Sequence, residues 1–299
     1  MTDRRRRIID GFARRVMGAL TIVSGLIVFA MIGGLYLRSR PILAMKPLTE
    51  LLSSSTAWRP LSGEFGFFPF IAGTLWVTGV AVLIAVPLSL LTAIFLSEYA
   101  PRKIREWAKP LIDVLAGIPS VIFGVWGMLA IVPLIKDVIA PAFGSFSTGY
   151  SVLAGGVVLA VMIVPVIIHV TLEVFGAVPV EMRDASLAVG ATRWQSVRNV
   201  VVRKAMPGVV AAVVLGLSRA FGETMAILMV VGNVPIVPKT VLDPAYPLPA
   251  LIANNYGEMM SVPLYDSALL LACLVLMVVV LFFNVISRII LVRVERSTQ

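Results

Sequence analysis

Charge is scarce in this chain. Only 14% of its 299 residues are Asp, Glu, Lys or Arg, whereas 59% are hydrophobic. An ordinary soluble domain carries roughly a quarter charged residues. The mean hydropathy is +0.97. A protein core cannot absorb so much apolar sequence, and lipid can. Histidine and cysteine occur once each, as His169 and Cys273. One cysteine excludes a disulfide within the chain and leaves the redox compartment open. One of each excludes a metal cluster of the usual His/Cys kind. There is no G-x-x-x-x-G-K-[ST] loop, so the chain does not hold ATP in that manner. No apolar run carries the nucleophile pattern G-x-S-x-G. The chain is expected to be no enzyme and to hold no cofactor of its own. A net charge of +9 would point to nucleic acid in a soluble protein. Here the basic residues flank apolar runs, the usual membrane pattern, and no nucleic-acid partner is expected.

A spanning helix needs about 20 mostly apolar residues. Six runs meet that length. They are 16–37, 65–97, 114–135, an ordered stretch from 151 within 138–172, 205–238 and 267–287. The first has a basic start, Arg4 to Arg7, but its apolar stretch exceeds the 7–15 residues of a signal peptide, so it is expected to stay as a helix. Lys and Arg side chains mark the orientation. Eighteen lie in the N-terminal tail, the second and fourth loops and the C-terminal end; six lie on the opposite side. That bias places both termini in the cytoplasm. Pro87, Pro119 and Pro165 fall inside spans and are expected to kink them. Either packing geometry or a path built around kinks accounts for them. The proline-rich stretch 232–266 reads as an irregular external cap with a short helix near 251–255. Residues 47–54 form a short external helix or a solvated loop. The chain therefore divides into 1–64 (basic tail, first helix and external loop), 65–291 (five-helix transmembrane domain) and 292–299 (cytoplasmic tail).

The loop between the fourth and fifth helices, about 177–204, is the most informative. Pro179 suits a helix start, and Glu181 and Asp184 suit its positive end. Gly190 suits a left-handed stop, and Thr192 suits the cap of a second helix beginning at Arg193 and Trp194. The first helix is rich in small residues (Ala185, Ser186, Ala188), which permits close approach by another surface. An ordinary amphipathic interfacial loop is the plainer alternative.

Asp184-Ala185-Ser186-x-x-x-Gly190 resembles the EAA-x-x-x-G loop of ABC-importer permeases. It departs twice: Asp184 replaces the first Glu, and Arg203 stands where a proline is usual, with Pro207 four residues later. Further motifs are similar to those of phosphate-importer permeases: the stretch from Gly63 to Thr74, Ile94-Phe-Leu-Ser-Glu-Tyr-Ala100, Leu115-Ala-Gly-Ile-Pro-Ser-Val121 and Arg219-Ala-Phe-Gly-Glu-Thr-Met-Ala226 followed by Gly232-Asn233. The Glu-Thr-Met-Ala form resembles the PstC-type subunit; the sister PstA type tends to have Glu-Thr-Ala-Pro. The resemblance covers roughly residues 50–291.

Arg219 and Glu223 stand four apart in the fifth run and are expected to share a helical face. Counted from Pro207, Arg219 lies about 18 Å along the helix. Charges at such depth face the bundle interior or a water-filled path. Ala212, Gly216 and Ala226 are placed on the same face, leaving room beside the pair. A structural ion pair is one reading. The other has Arg219 attract an oxyanion, since its planar fork donates two hydrogen bonds to phosphate oxygens. His169 and Glu173, and Asp113, read as polar helix ends that snorkel.

The resemblance implies an all-α, six-helix type I ABC-importer transmembrane domain in a bacterial inner membrane. It implies a coupling loop holding Asp184, Ala185, Ser186, Gly190 and Arg193, and a substrate path holding Arg219, Glu223 and Thr224. The implied partners are a second, PstA-like permease, two ATPase subunits carrying ATP and magnesium, an extracytoplasmic phosphate-binding protein, phosphate and lipid. Sulfate or molybdate is the alternative substrate. An ion-coupled secondary transporter would not need the 184–190 loop.

Overall fold

The computed structural model describes residues 3–53, 58–258 and 261–298, without the side chains of residues 3–10, 287, 291 and 294–298. Six described helices are long and apolar enough to cross a membrane: Gly11–Met45, Phe68–Tyr99, Ser120–Ala142, Val152–Gly176, Arg193–Gly222 and Tyr265–Ile290. The all-α, six-span expectation holds. Helices satisfy their own backbone polar groups, which is what lipid demands.

The chain opens with α1 (Asp3–Met45), a short α2 (Leu48–Leu51) and a two-stranded hairpin, β1 (Trp58–Arg59) with β2 (Glu64–Phe65). Only the end of the 47–54 stretch lies outside the described residues. Span 2 is α3 (Phe68–Ile94), continued by a wider π-helical turn over Phe95–Tyr99. Next comes α4 (Arg102–Gly117), then span 3, built from α5 (Ser120–Trp126), α6 (Val132–Leu134) and α7 (Ala140–Ala142), linked by π-helical turns. Span 4 is α8 (Val152–Gly176). Two short helices, α9 (Val180–Ala188) and α10 (Arg193–Ser196), lead through a π turn into α11 (Val202–Gly222). The remainder is α12 (Met225–Val230), α13 (Leu248–Asn255) and α14 (Tyr265–Thr298).

Span 4 is the hub. Two-thirds of its apolar window (67%) is buried, against none of the first span's. Small residues let neighbours approach it closely, as is usual between membrane helices. A Cβ placed on Gly156 would lie 2.4 Å from Val80 Cγ1 of α3, and one on Gly208 of α11 would lie 2.4 Å from Val174 Cγ1 of α8. The first span packs chiefly along α14, on the outside of the bundle, and its far end buries Ile42 in the cluster around Leu51 and Phe65.

The N-terminal end of α8 carries orphan N–H groups. The 232–266 loop supplies two acceptors and the cap residue a third: Val152 N donates to Asp243 O (2.9 Å), Leu153 N to Val241 O (2.7 Å) and Ala154 N to Ser151 Oγ (3.2 Å). The same loop sits on an aromatic plug in which Trp58 meets Phe65, Phe67 and Phe70 at 5.5, 5.8 and 5.1 Å. The 232–266 cap is thus packed, and its helix, expected near 251–255, is α13.

Two spans begin or end away from their expected places. The third does not start at 114. Residues 114–117 belong to α4, and Ile118 and Pro119 are extended (ψ 130° and 139°), breaking the helix before Ser120. Proline disfavours the helical conformation in the residue before it, so Pro119 separates two helices rather than kinking one. The fifth span stops at Gly222, not 238.

Candidate functional site

The 177–204 loop folds as its residues dictate. Pro179 precedes α9, whose far end is closed by a paired hydrogen-bond stop: Ala191 N donates to Ser186 O (3.2 Å) and Gly190 N to Leu187 O (3.0 Å). Gly190 adopts φ +86° with no atom within 4 Å of a would-be Cβ, so conformation rather than space selects glycine there. Thr192 then starts α10 with a reciprocal cap. Gln195 N donates to Thr192 Oγ1 (3.3 Å), and Thr192 N donates to Gln195 Oε1 (2.8 Å). Asp184 and Ala185 lie exposed on α9, with Ser186 partly covered. No residue of α9 is buried, and the apolar Val180, Leu187 and Val189 are 59%, 46% and 86% exposed. Arg203, at the family's proline position, leaves no gap: the chain stays helical from Arg193 to Gly222, bulging into a π turn at Val197–Val201.

Sequence reasoning missed what anchors this loop. Arg183 reaches the end of span 2, where its Nη2 lies 3.0 Å from Glu98 Oε1; the two side chains are 19% and 10% exposed. It also donates to Phe175 O (2.7 Å) and Val178 O (2.8 Å) at the end of span 4. Arg193 donates to Glu98 O and stacks over the Tyr99 ring at 5.0 Å. Arg105 of α4 donates from Nε to Leu96 O (2.8 Å) and from Nη2 to Ser97 O. The available signal was a Glu in the Ile94–Ala100 motif, at the end of an apolar run, opposite arginines in two basic loops.

A second polar cluster joins α4 to α8. His169 Nδ1 lies 3.2 Å from Asp113 Oδ1, and Nε2 lies 3.5 Å from Glu173 Oε1. All three side chains are more than half exposed and border an open cleft of about 220 Å³ that also touches Lys109. Asp113 therefore pairs across elements, which its expected place at the start of span 3 did not indicate.

The charged motif of span 5 differs most from expectation. Glu223 is extended (φ −73°, ψ 128°) and lies outside α11, so it shares no helical face with Arg219. Among the described residues no ion pair joins the two. The Glu223 carboxylate instead accepts from Ala226 N (3.3 Å), and Thr224 Oγ1 donates to Gly222 O (3.3 Å). These side chains supply bonds that the broken helix gives up. After Val230 the chain turns at Gly232 (φ +92°) and Asn233 (φ +53°), and Asn233 Nδ2 donates to Leu228 O (2.7 Å). Nor is there room beside Ala212 and Gly216. Both are packed on α8, and a Cβ at Gly216 would lie 2.7 Å from Ile167 Cγ1. Arg219 is exposed on the single chain and, among the described residues, has no side-chain partner.

The fold and these three places are those of a polytopic α-helical membrane protein. Comparison with known sequences is more specific. The model of the family described as "Binding-protein-dependent transport system inner membrane component" matches residues 85–298, and the chain belongs to that family. It is 38% identical over 257 residues to the "Phosphate transport system permease protein PstC" of Xylella fastidiosa strain 9a5c, covering 81% of this chain and 79% of that one. It is 35% identical over 294 residues to the "Probable ABC transporter permease protein YqgH" of Bacillus subtilis strain 168, covering 96% and 93%. Among solved structures, a chain of a bacterial alginate ABC transporter superposes with a TM-score of 0.65 at 16% identity, covering 94% of each chain. A chain of the MetNI methionine transporter gives 0.57 at 20%, covering 74% of this chain and 93% of that one. These structures establish a shared type I importer fold.

Proposed function

We propose that this chain is a permease subunit of an ATP-driven phosphate importer. The carrying observation is the likeness to permeases named for phosphate transport, 38% identical in Xylella fastidiosa and 36% in Haemophilus influenzae, over about four-fifths of the chain. It pairs with a homologous, PstA-like permease, and an extracytoplasmic binding protein delivers phosphate to the outer face. Two ATPase subunits hold ATP and magnesium, so the hydrolysis belongs to them. Asp184, Ala185, Ser186, Gly190 and Arg193 form the coupling surface in this reading. The uncovered apolar residues of α9 and its turn support it, since an exposed apolar patch marks an interaction site.

Arg219, Glu223 and Thr224 line the path. An arginine with no carboxylate partner among the described residues, beside a helix break, favours an anion. Irregular backbone at membrane depth is tolerated where it lines a cavity or is buried in protein. When the coupling helices move, the bundle alternates between outward and inward openings, and the guanidinium replaces part of the phosphate's lost hydration.

The chain sits in a bacterial inner membrane with both termini in the cytoplasm. Single cysteines at positions 193 and 243, in a Cys273-free background, should label from the cytoplasm and from outside, respectively. Labelling of position 193 from outside would reject the topology. The substrate is tested by phosphate uptake into vesicles holding the complete complex. Uptake should require ATP and resist excess sulfate or molybdate; competition by either would transfer the assignment to that oxyanion.

A further inference from the structure

We infer that the cytoplasmic end of span 2, residues 96–98, is a mechanical junction that locks the coupling loop and α4 into one moving block through Arg183, Arg193 and Arg105. This rests on the reading of 177–204 as the ATPase-facing loop.

The last carbonyls of any helix lack partners within it. Where a helix emerges into water, solvent serves them without help from the protein. Here three successive carbonyls are taken by arginines from two separate loops. Leu96 O and Ser97 O accept from Arg105 of α4, and Glu98 O accepts from Arg193 of α10. The wider turn over Phe95–Tyr99 ends with Ala100 N donating to Phe95 O, which leaves the next three carbonyls to these donors. Positive charge is favoured at this negative end of the helix dipole.

The Glu98 side chain adds the second layer. It is 10% exposed and receives Arg183 Nη2 at 3.0 Å and Ser97 Oγ at 2.9 Å. The same guanidinium holds Phe175 O and Val178 O. One arginine at the middle of α9 thus grips the ends of spans 2 and 4 together. Charge-assisted bonds of this kind are short and directional, so they transmit displacement rather than absorb it. The free part of the loop is the far side of α9 and the Gly190 turn, where a partner would push. Glu98, Arg183, Arg193 and Arg105 are positioning residues in this arrangement; none is placed on substrate.

The test uses the complete transporter in lipid. Spin labels replace Trp107 on α4 and Trp194 on α10, 83% and 52% exposed and neither of them in the proposed docking surface, in a Cys273-free background. The label distance is measured without nucleotide and with ATP trapped. In the native background it should be the same in both states. In Glu98→Gln it should broaden, and the ATP hydrolysed per phosphate imported should rise at least about fivefold, the low end of coupling between sites. A native distance that shifts with nucleotide would overturn the block. So would a Glu98→Gln complex with native distance and native stoichiometry. Should that variant fail to assemble, Arg193→Met, which leaves the Glu98–Arg183 pair intact, is judged by the same two readings. A native complex that imports no phosphate yet keeps an invariant distance would sink the substrate assignment while leaving the junction standing.

Discussion

The chain departs from helix on either side of α11, and the two departures are built differently. At Gly190 the turn lies outside the membrane, and every device belongs to a familiar repertoire: a left-handed glycine, a paired stop on α9 and a reciprocal cap from Thr192 and Gln195. At Gly222–Thr224 the break falls within an apolar run. There Glu223 caps the next helix, Thr224 bonds a carbonyl, and Arg219 has no partner among the described residues. Water forgives a poor turn because it hydrogen-bonds any stray backbone group. Lipid does not, so a break there must bring its own polar atoms. Those atoms look like an ion pair when only their spacing is visible.

The largest expected effect bears on that second break. Arg219→Met should reduce phosphate uptake, normalised to assembled complex, by well over tenfold. Glu223→Gln keeps an oxygen facing Ala226 N and should be milder. The double variant should remain as inactive as Arg219→Met, because no ion pair joins the two residues. If Arg219→Met alone were lethal to assembly and the double variant restored both assembly and uptake, the two residues would be a lock after all, as buried pairs sometimes are. Arg219→Lys should also be impaired, since an ammonium lacks the two-pronged donor geometry.

That contrast explains what the sequence disclosed and what it withheld. Six spans were legible because length and hydropathy suffice to mark them. The loop 177–204 was legible because Pro179, Gly190 and Thr192 each favour one local conformation. The break at 222–224 was not. Gly222 and Thr224 are common inside membrane helices, and four-residue spacing from Arg219 to Glu223 assumes the very helix that is absent. The amphipathic α4 was hidden because its apolar end, 114–117, merges in hydropathy with span 3, and only Pro119 marks the join. The arginines on Glu98 were out of reach for another reason: residues 98 and 183 meet through the packing of α3 on α8, which no local pattern encodes.

The second prediction sharpens the water side of the comparison. Gly190→Trp should leave the chain inserted and abolish uptake, because the turn carries the proposed docking surface. Gly190→Ala separates conformation from bulk. Nothing lies within 4 Å of the added methyl, so the only cost is the positive φ, about 1 kcal/mol. Uptake should fall several-fold with assembly intact. Normal uptake by the Trp variant would remove the loop from coupling. A third variant, Thr192→Ala, deletes the reciprocal cap at a cost of about 1 kcal/mol. It should lower the melting temperature of the complex slightly and reduce uptake less than Gly190→Ala. A larger loss than that of Gly190→Ala would place the docking surface on α10 rather than on the turn.

The smallest expected effect lies at a cap in the 232–266 loop, where water again competes. Asp243 Oδ2 accepts from the backbone N–H groups of Lys239 and Thr240, both at 2.8 Å. The Thr240 N–H, with smaller help from Lys239, holds this carboxyl below its ordinary range despite partial burial. A carboxyl depressed in the folded state binds fewer protons there than in the unfolded chain, so its stabilisation is complete above the ordinary aspartate value of about 3.9. It is lost as pH falls through the lower, folded value. Hydrogen exchange at the Lys239 and Thr240 amides should therefore show protection that is flat from neutral pH down to about that value, once corrected for intrinsic rates, and then declines. Asp243→Asn retains one acceptor oxygen, so it should keep most of the protection and remove its acid dependence. Protection that declines well above the ordinary carboxyl range would mean that another group holds the turn. Equal protection in Asp243→Ala would show that the backbone alone suffices, and that side-chain caps in this protein matter chiefly where water is excluded.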